Sequence, residues 1–230
     1  MICGFDPMDQ GKGPLSIGDS PTEDMSDVTR IESPPRETPL MDRTTFLDYC
    51  KMHQIDPIQR MLLLSDGTLV DHLEALYLSP VRLSLQHQRE VPMPDADADW
   101  LGVPRGCPTV ERRTFLRAGG TDAAGRIEGE RGGSPDRIVV FAVSLFPRSS
   151  LPSELCEEML RGELPVGKLI RALPTQRDRM EVAYRPVPPL SEALGVSDTK
   201  SFWTRRYRLT LAGGGVGLVF EAFPPRAIFR

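Results

Sequence analysis

The stretch WTRRYRLTLAGGGVGLVFEAF, residues 203–223, decides the fold. Two strand-like runs flank the turn Gly213-Gly214-Gly215, the pattern of a hairpin in an antiparallel sheet. The second run, VGLVFEAF from Val216 to Phe223, is apolar on both faces of its alternation except at Glu221, which falls level with Val219 and Phe223. A buried carboxylate without a partner is costly, or gives up its charge. A partner stands upstream in TVERRTFLRA, residues 109–118. There Glu111, Arg113 and Arg117 take the outward positions, whereas Val110, Arg112, Thr114 and Leu116 take the inward ones, so Arg112 is a cation on an inward face. Two readings follow. Arg112 and Glu221 form a structural buried salt bridge, or they line a pocket that needs a planar cation and a hydrogen-bonding carboxylate.

Working outward from these two strands, an ordered domain is expected from residue 42. Thr44 to Met52 is a short helical candidate, and Asp56-Pro57 opens a helix over IQRMLLL as N-cap and first-turn proline. In SDGTLVDHLEALY, Thr68 and Asp71 have capping-box spacing, and Leu69, Leu73 and Leu76 share a helical face. VRLSLQHQREV then alternates as a half-buried strand, with Val81, Leu83, Leu85 and His87 on one side, which makes His87 an interior-edge or rim histidine. The glycine-rich segment from Gly119 to Asp136 reads as a long hairpin insertion. RIVVFAVSLFP is apolar throughout and predicts a central strand. PSELCEEMLRG predicts a helix with Ser153 as N-cap and Gly162 as its stop. LPVGKLIRAL gives a turn and short helix, MEVAYRPV another strand, and LSEALGV a brief helix before the terminal hairpin. Strands joined mainly by hairpins with helices between them make an α+β domain, its antiparallel sheet covered on one face by helices.

Composition narrows the function. Residues 1–41 are rich in Pro, Gly, Ser, Asp and Glu and read as a disordered leader, since they cannot bury enough surface to offset ordering entropy. The GKGP stretch within it lacks the other features of a phosphate loop. A net charge of -4 with dispersed arginines argues against nucleic acid as a partner. No apolar run has membrane-spanning length, and the N-terminus has no signal-peptide pattern, so a soluble, cytoplasmic protein is expected, a monomer or simple homo-oligomer. Cys3, Cys50, Cys107 and Cys156 are scattered and read as free thiols. His53, His72 and His87 form no ligand or nucleophile-base pattern. Neither a metal nor another cofactor is implied.

With these segments in order, the chain from about Asp56 to Pro225 resembles the chorismate pyruvate-lyase family. The resemblance rests on LLLSDGTLVDHLEALY, RRTFLRAGG, LPVGKLI from Leu164, and SFWTRRYRLTLAGGGVGLVFEAFPP from Ser201. It implies a six-stranded antiparallel sheet with helices on one face enclosing a ligand pocket. It also implies conversion of chorismate to 4-hydroxybenzoate and pyruvate without a cofactor, for a quinone or a secondary metabolite. On this likeness Arg112 holds the ring carboxylate and Glu221 meets the ring hydroxyl, Val166 makes a backbone contact to the ligand, and Leu69 is an apolar flap residue against it. One departure stands in AVSLFP. Many relatives place an arginine immediately before the serine, where this chain has Val143, so a second cation for the pyruvyl carboxylate is missing. Lys168, Arg205 and Arg206 are the candidate substitutes, although the last two read as residues of a solvated strand face. The alternative function is a non-catalytic binding domain for aromatic acids, similar to effector domains of transcription regulators. Such domains follow a DNA-binding winged helix, which the short polar leader does not resemble.

Overall fold

A computed structural model of the protein describes residues 41–53, 55–66, 69–119, 137–170, 174–211 and 213–224. The expected leader therefore lies outside the described residues except for its last position, and so does the expected insertion beyond Gly119. Met41 corrects the leader boundary. Its backbone exchanges hydrogen bonds with Val182, and its side chain is buried.

Six strands form one antiparallel sheet: β1 (Arg82–Pro92), β2 (Pro108–Ala118), β3 (Arg137–Pro147), β4 (Thr175–Pro186), β5 (Ser201–Leu211) and β6 (Val216–Phe223). Their spatial order is β1-β2-β3-β6-β5-β4, so the apolar runs β3 and β6 occupy the centre. Arg112 and Glu221 thereby stand on nearby strands, with one strand between them. The hairpin expected at the triple glycine joins β5 to β6. Gly213 and Gly214 have φ of 88° and 85°, values that L side chains rarely adopt.

The cavity-bearing face is covered by α1 (Arg43–His53), α2 (Pro57–Leu64), α3 (Leu69–Tyr77), α5 (Ser153–Arg161) and the single turn α6 (Val166–Leu169). Asp56 caps α2 as expected, accepting from the Ile58 N–H at 2.8 Å. Thr68, the expected cap of α3, lies outside the described residues. Helix α5 has no side-chain cap, because it begins at Ser153 itself with Pro152 preceding. It ends as expected at Gly162, in the left-handed conformation. Two apolar clusters fill this face. One joins Phe46, Leu63 and Leu73 to Val140, Trp203 and Phe223, and the other joins Leu155 and Met159 to Phe146, Leu209 and Val219. α7 (Pro188–Leu194) links β4 to β5.

One helix was not expected. DADADWL forms α4 (Asp95–Leu101), which packs on the reverse face through Asp97 and Trp100 against Arg206 of β5. Its signals were Asp95 and Asp97 in the first turn and Gly102 just past the end.

Bulges set the faces of two side chains, one of them a correction. In β1 the register shifts between Leu85 and His87, which places His87 opposite Arg113 on the reverse face and brings Gln88 opposite Arg112. His87 is thus not on the side of Leu83. Its Nε2 lies 3.1 Å from Glu111, which is also held by Arg89 and Arg113. Two of the three positions read as outward on β2 belong to this network: Glu111 is 2% exposed, and Arg113 is engaged rather than solvated. In β4 a second bulge falls between Asp178 and Glu181, with Arg179 in a left-handed conformation at φ 46°. It puts Arg177 and Val182 on the same face although an odd number of positions separates them.

Candidate active site

Strand register builds the floor of a cavity row by row. Arg112, Ser144, Val219 and Tyr207 lie side by side across β2, β3, β6 and β5. The next row is Thr114, Ala142, Glu221 and Arg205. Helices α3 and α6 form the roof, contributing Leu69 and Val70 from one and Val166 and Gly167 from the other. The cavity holds about 610 Å³ of empty space, part of it open to solvent. Gly217 of β6 lets the Phe146 ring pack closely against the strand: a Cβ there would come within 2.2 Å of that ring.

Arg112, Glu221, Val166 and Leu69 all line this one cavity. Arg112 and Glu221 do not, however, form the salt bridge that was one of the two sequence readings. Arg112 is 1% exposed and donates from Nη2 to the Gly162 carbonyl at 2.9 Å. Its Nε and Nη1 are buried without an acceptor among the described residues. Desolvation lowers its pKa from the ordinary guanidinium value, because burial disfavours the charge. A buried cation with unmet donors beside a cavity is complementary to an anion.

Glu221 has another partner. Arg205, directly across on β5, donates from Nε to Glu221 Oε2. Its Nη1 also reaches the carbonyls of Leu62 at 2.7 Å, Leu63 at 3.3 Å and Ser65 at 2.9 Å. These carbonyls belong to the last turn of α2 and the residues after it, where intrahelical donors run out. Arg205 thus joins the cavity floor to the segment leading into α3. Burial works against its charge, yet Glu221 and Tyr207 hold its pKa above the ordinary value. Neither Arg205 nor Arg206 lies on a solvated face, contrary to the sequence reading: they are 1% and 8% exposed. As consecutive strand residues they point to opposite faces, and both faces of β5 are covered.

Glu221 Oε1 lies 3.5 Å from the Tyr207 hydroxyl, a weak contact that leaves this oxygen able to accept from a ligand. An ion-paired carboxylate only accepts, so the group it meets has to be a donor such as a hydroxyl. Burial, and then the charge of Glu221, push the Tyr207 pKa up to about 12. An unfolded tyrosine titrates near ~10. With the folded value the higher, the Tyr207 contribution to stability is complete below about pH 10 and is lost as pH rises through about 12. Urea midpoints measured across this range are expected to fall by the equivalent of about 2–3 kcal/mol. Tyr207→Phe is expected to remove that part of the fall.

Val143 is buried on the reverse face, opposite Arg113 and Phe220, while its neighbours Ala142 and Ser144 face the cavity. A cation at position 143 on this strand would not reach the ligand. Of the candidate substitutes, Lys168 pairs with Glu74 at 3.1 Å, Arg205 is committed to Glu221, and Arg206 lies on the reverse face with Glu181. The cavity cation that sequence reading missed is Arg177. Its strand alternation points it away from Val182, and only the bulge at Arg179 turns it inward.

A family model described as Rv2949c-like chorismate pyruvate-lyase matches residues 63–229. The chain belongs to this family. The match spans α3, α6, β2 and β6, and so includes all four of the sequence-read cavity residues. No curated protein matches the sequence. Among solved structures, PhnF from Mycobacterium smegmatis is 14% identical with a TM-score of 0.50, over 70% of this chain and 64% of that one. The effector domain of PhnF is 15% identical with a TM-score of 0.48, over 70% and 90%. A GntR-family transcriptional regulator from Bacillus cereus is 11% identical with a TM-score of 0.45, over 64% and 92%. At these identities the likeness to PhnF is one of fold. Among the described residues no helix is long and apolar enough to cross a membrane, and no three His, Cys, Asp or Glu side chains are grouped to hold a metal.

Proposed function

We propose that the protein eliminates pyruvate from chorismate to leave 4-hydroxybenzoate. The observation that carries this reading is the buried guanidinium of Arg112, with donors unmet, beside the same cavity as an acceptor-only Glu221. Chorismate presents a ring carboxylate and, across the ring, a hydroxyl. Arg112 binds the first and Glu221 accepts from the second, which fixes the ring at two points. Val166 lies against the ligand from the roof with its backbone, and Leu69 excludes water from the flap side.

The reaction then asks little of side-chain chemistry. The bond from the ring to the enolpyruvyl oxygen breaks, and the hydrogen on the hydroxyl-bearing carbon leaves. Its electron pair completes the aromatic ring, and the enol fragment takes up the hydrogen as the methyl group of pyruvate. Aromatisation supplies the driving force, so the protein contributes orientation of the arm over the ring and a dry environment. Incubating purified protein with chorismate and following both products by chromatography tests the proposal. Equimolar 4-hydroxybenzoate and pyruvate are the expected result. Tight binding of 4-hydroxybenzoate with no turnover would instead favour a binding module, a use compatible with the fold shared with PhnF.

This elimination has no step that demands a Lewis acid. Prolonged treatment with chelator is therefore expected to leave turnover unchanged. Loss of activity that one divalent ion restores would overturn the cofactor-free scheme.

A further inference from the structure

We propose that Arg177 reads a second carboxylate, so that the cavity selects cyclic acids carrying two carboxylates over those carrying one. This rests on the lyase reading only in taking chorismate as the natural diacid. Arg177 lines the cavity from the edge strand β4, four strand steps from Arg112 on β2. At about 4.8 Å per step their backbones stand about 19 Å apart, with the cavity between them. The two guanidinium groups thus bracket a ligand that lies along the floor.

Charge balance points the same way. Glu221 is neutralised by Arg205, whereas Arg112 and Arg177 make no ion pair among the described residues. The cavity therefore carries two uncompensated positive charges, the complement of a dianion. Arg177 Nε is buried without an acceptor, while Nη1 donates to the Asp66 carbonyl and the guanidinium lies 5.4 Å from the Tyr207 ring centroid. Those two contacts hold the group in place and leave Nε for a ligand. The bulge that turns Arg177 inward places a non-glycine residue at positive φ, a backbone cost that a purely solvated arginine would not require.

Calorimetry on the full chain with two stable probes tests this. One is 4-hydroxybenzoate, and the other is 3-(carboxymethoxy)-4-hydroxybenzoate, which adds a second acid on an ether arm. The native protein is expected to bind the diacid more tightly. Arg177→Gln is expected to weaken diacid binding roughly 10- to 100-fold, the effect of losing one charge-assisted contact, and to leave the monoacid within about twofold. Arg177→Lys, which keeps the charge, is expected to retain part of the preference, and it serves if the glutamine variant does not fold. Equal weakening of both probes, no weakening of either, or no diacid preference in the native protein overturns the proposal. A diacid preference that depends on Arg177, in a protein without chorismate turnover, leaves this inference standing and removes the lyase reading.

Discussion

Replacing Arg112 with methionine is expected to abolish 4-hydroxybenzoate binding while leaving the melting temperature unchanged or higher. The two effects have one origin. Arg112 has no carboxylate partner among the described residues, so in the absence of ligand its charge is buried at a cost that the hydrogen bond to Gly162 offsets only in part. Methionine fills a similar volume without that cost. A gain of about 1 kcal/mol would raise the melting temperature of a chain this size by about 2–4 °C. Binding moves the opposite way, because the ligand carboxylate would then be buried without a counter-charge, a loss of at least about 100-fold in affinity. Turnover of chorismate is expected to fall at least as far.

The comparison variant has to be chosen with the reverse face in mind. Arg113 is one residue along and points away from the cavity, but it is paired with Glu111 at 2.8 Å and is not neutral to stability. Arg105, on the surface and paired with exposed Asp99 and Asp95, is the better control. If Arg112→Met melts several degrees lower and still binds 4-hydroxybenzoate, Arg112 is a structural residue and the assigned site is wrong.

The same arginine shows how much of the site alternation could reveal. Between Val110 and Leu116, β2 runs without a bulge, so period-2 counting put Arg112 on the cavity face correctly, and β6 did the same for Glu221. Counting failed where the backbone inserts a residue. His87 lies beyond one bulge and Arg177 before another, and nothing in the local composition of RLSLQHQ or TQRDRME marks an extra position. The terminal hairpin and the central place of β3 were legible, the first in the triple glycine and the second in an unbroken apolar run. The pairing of Glu221 was not, because two arginines on the same face compete for it and sequence does not say which strand is adjacent. β6 sits between β3 and β5, so Arg205 is next to Glu221 while Arg112 is one strand further away. Burial of Arg205 and Arg206 escaped for a related reason: a strand rich in arginine reads as solvated until helices are known to cover both of its faces.

The pairing sets the second large effect. Arg205→Ala is expected to destabilise the fold by about 3–5 kcal/mol, since it leaves Glu221 buried without a counter-charge and strips the donor from the carbonyls at the end of α2. Glu221→Gln keeps the shape but leaves Arg205 as the unpaired charge, so it is expected to lose stability on a similar scale and to lower turnover roughly 10- to 100-fold. The double variant Arg205→Met with Glu221→Gln removes both charges together. Most of the lost stability is expected to return in urea unfolding, with a coupling energy well above that of surface pairs. Turnover is not expected to return, because the ring hydroxyl still lacks its anionic acceptor. The two readouts therefore separate the two duties of Glu221. A double variant as unstable as the worse single one would mean that the pair is not what the fold depends on. Recovery of turnover along with stability would mean that Glu221 serves the fold alone and that some other group receives the hydroxyl.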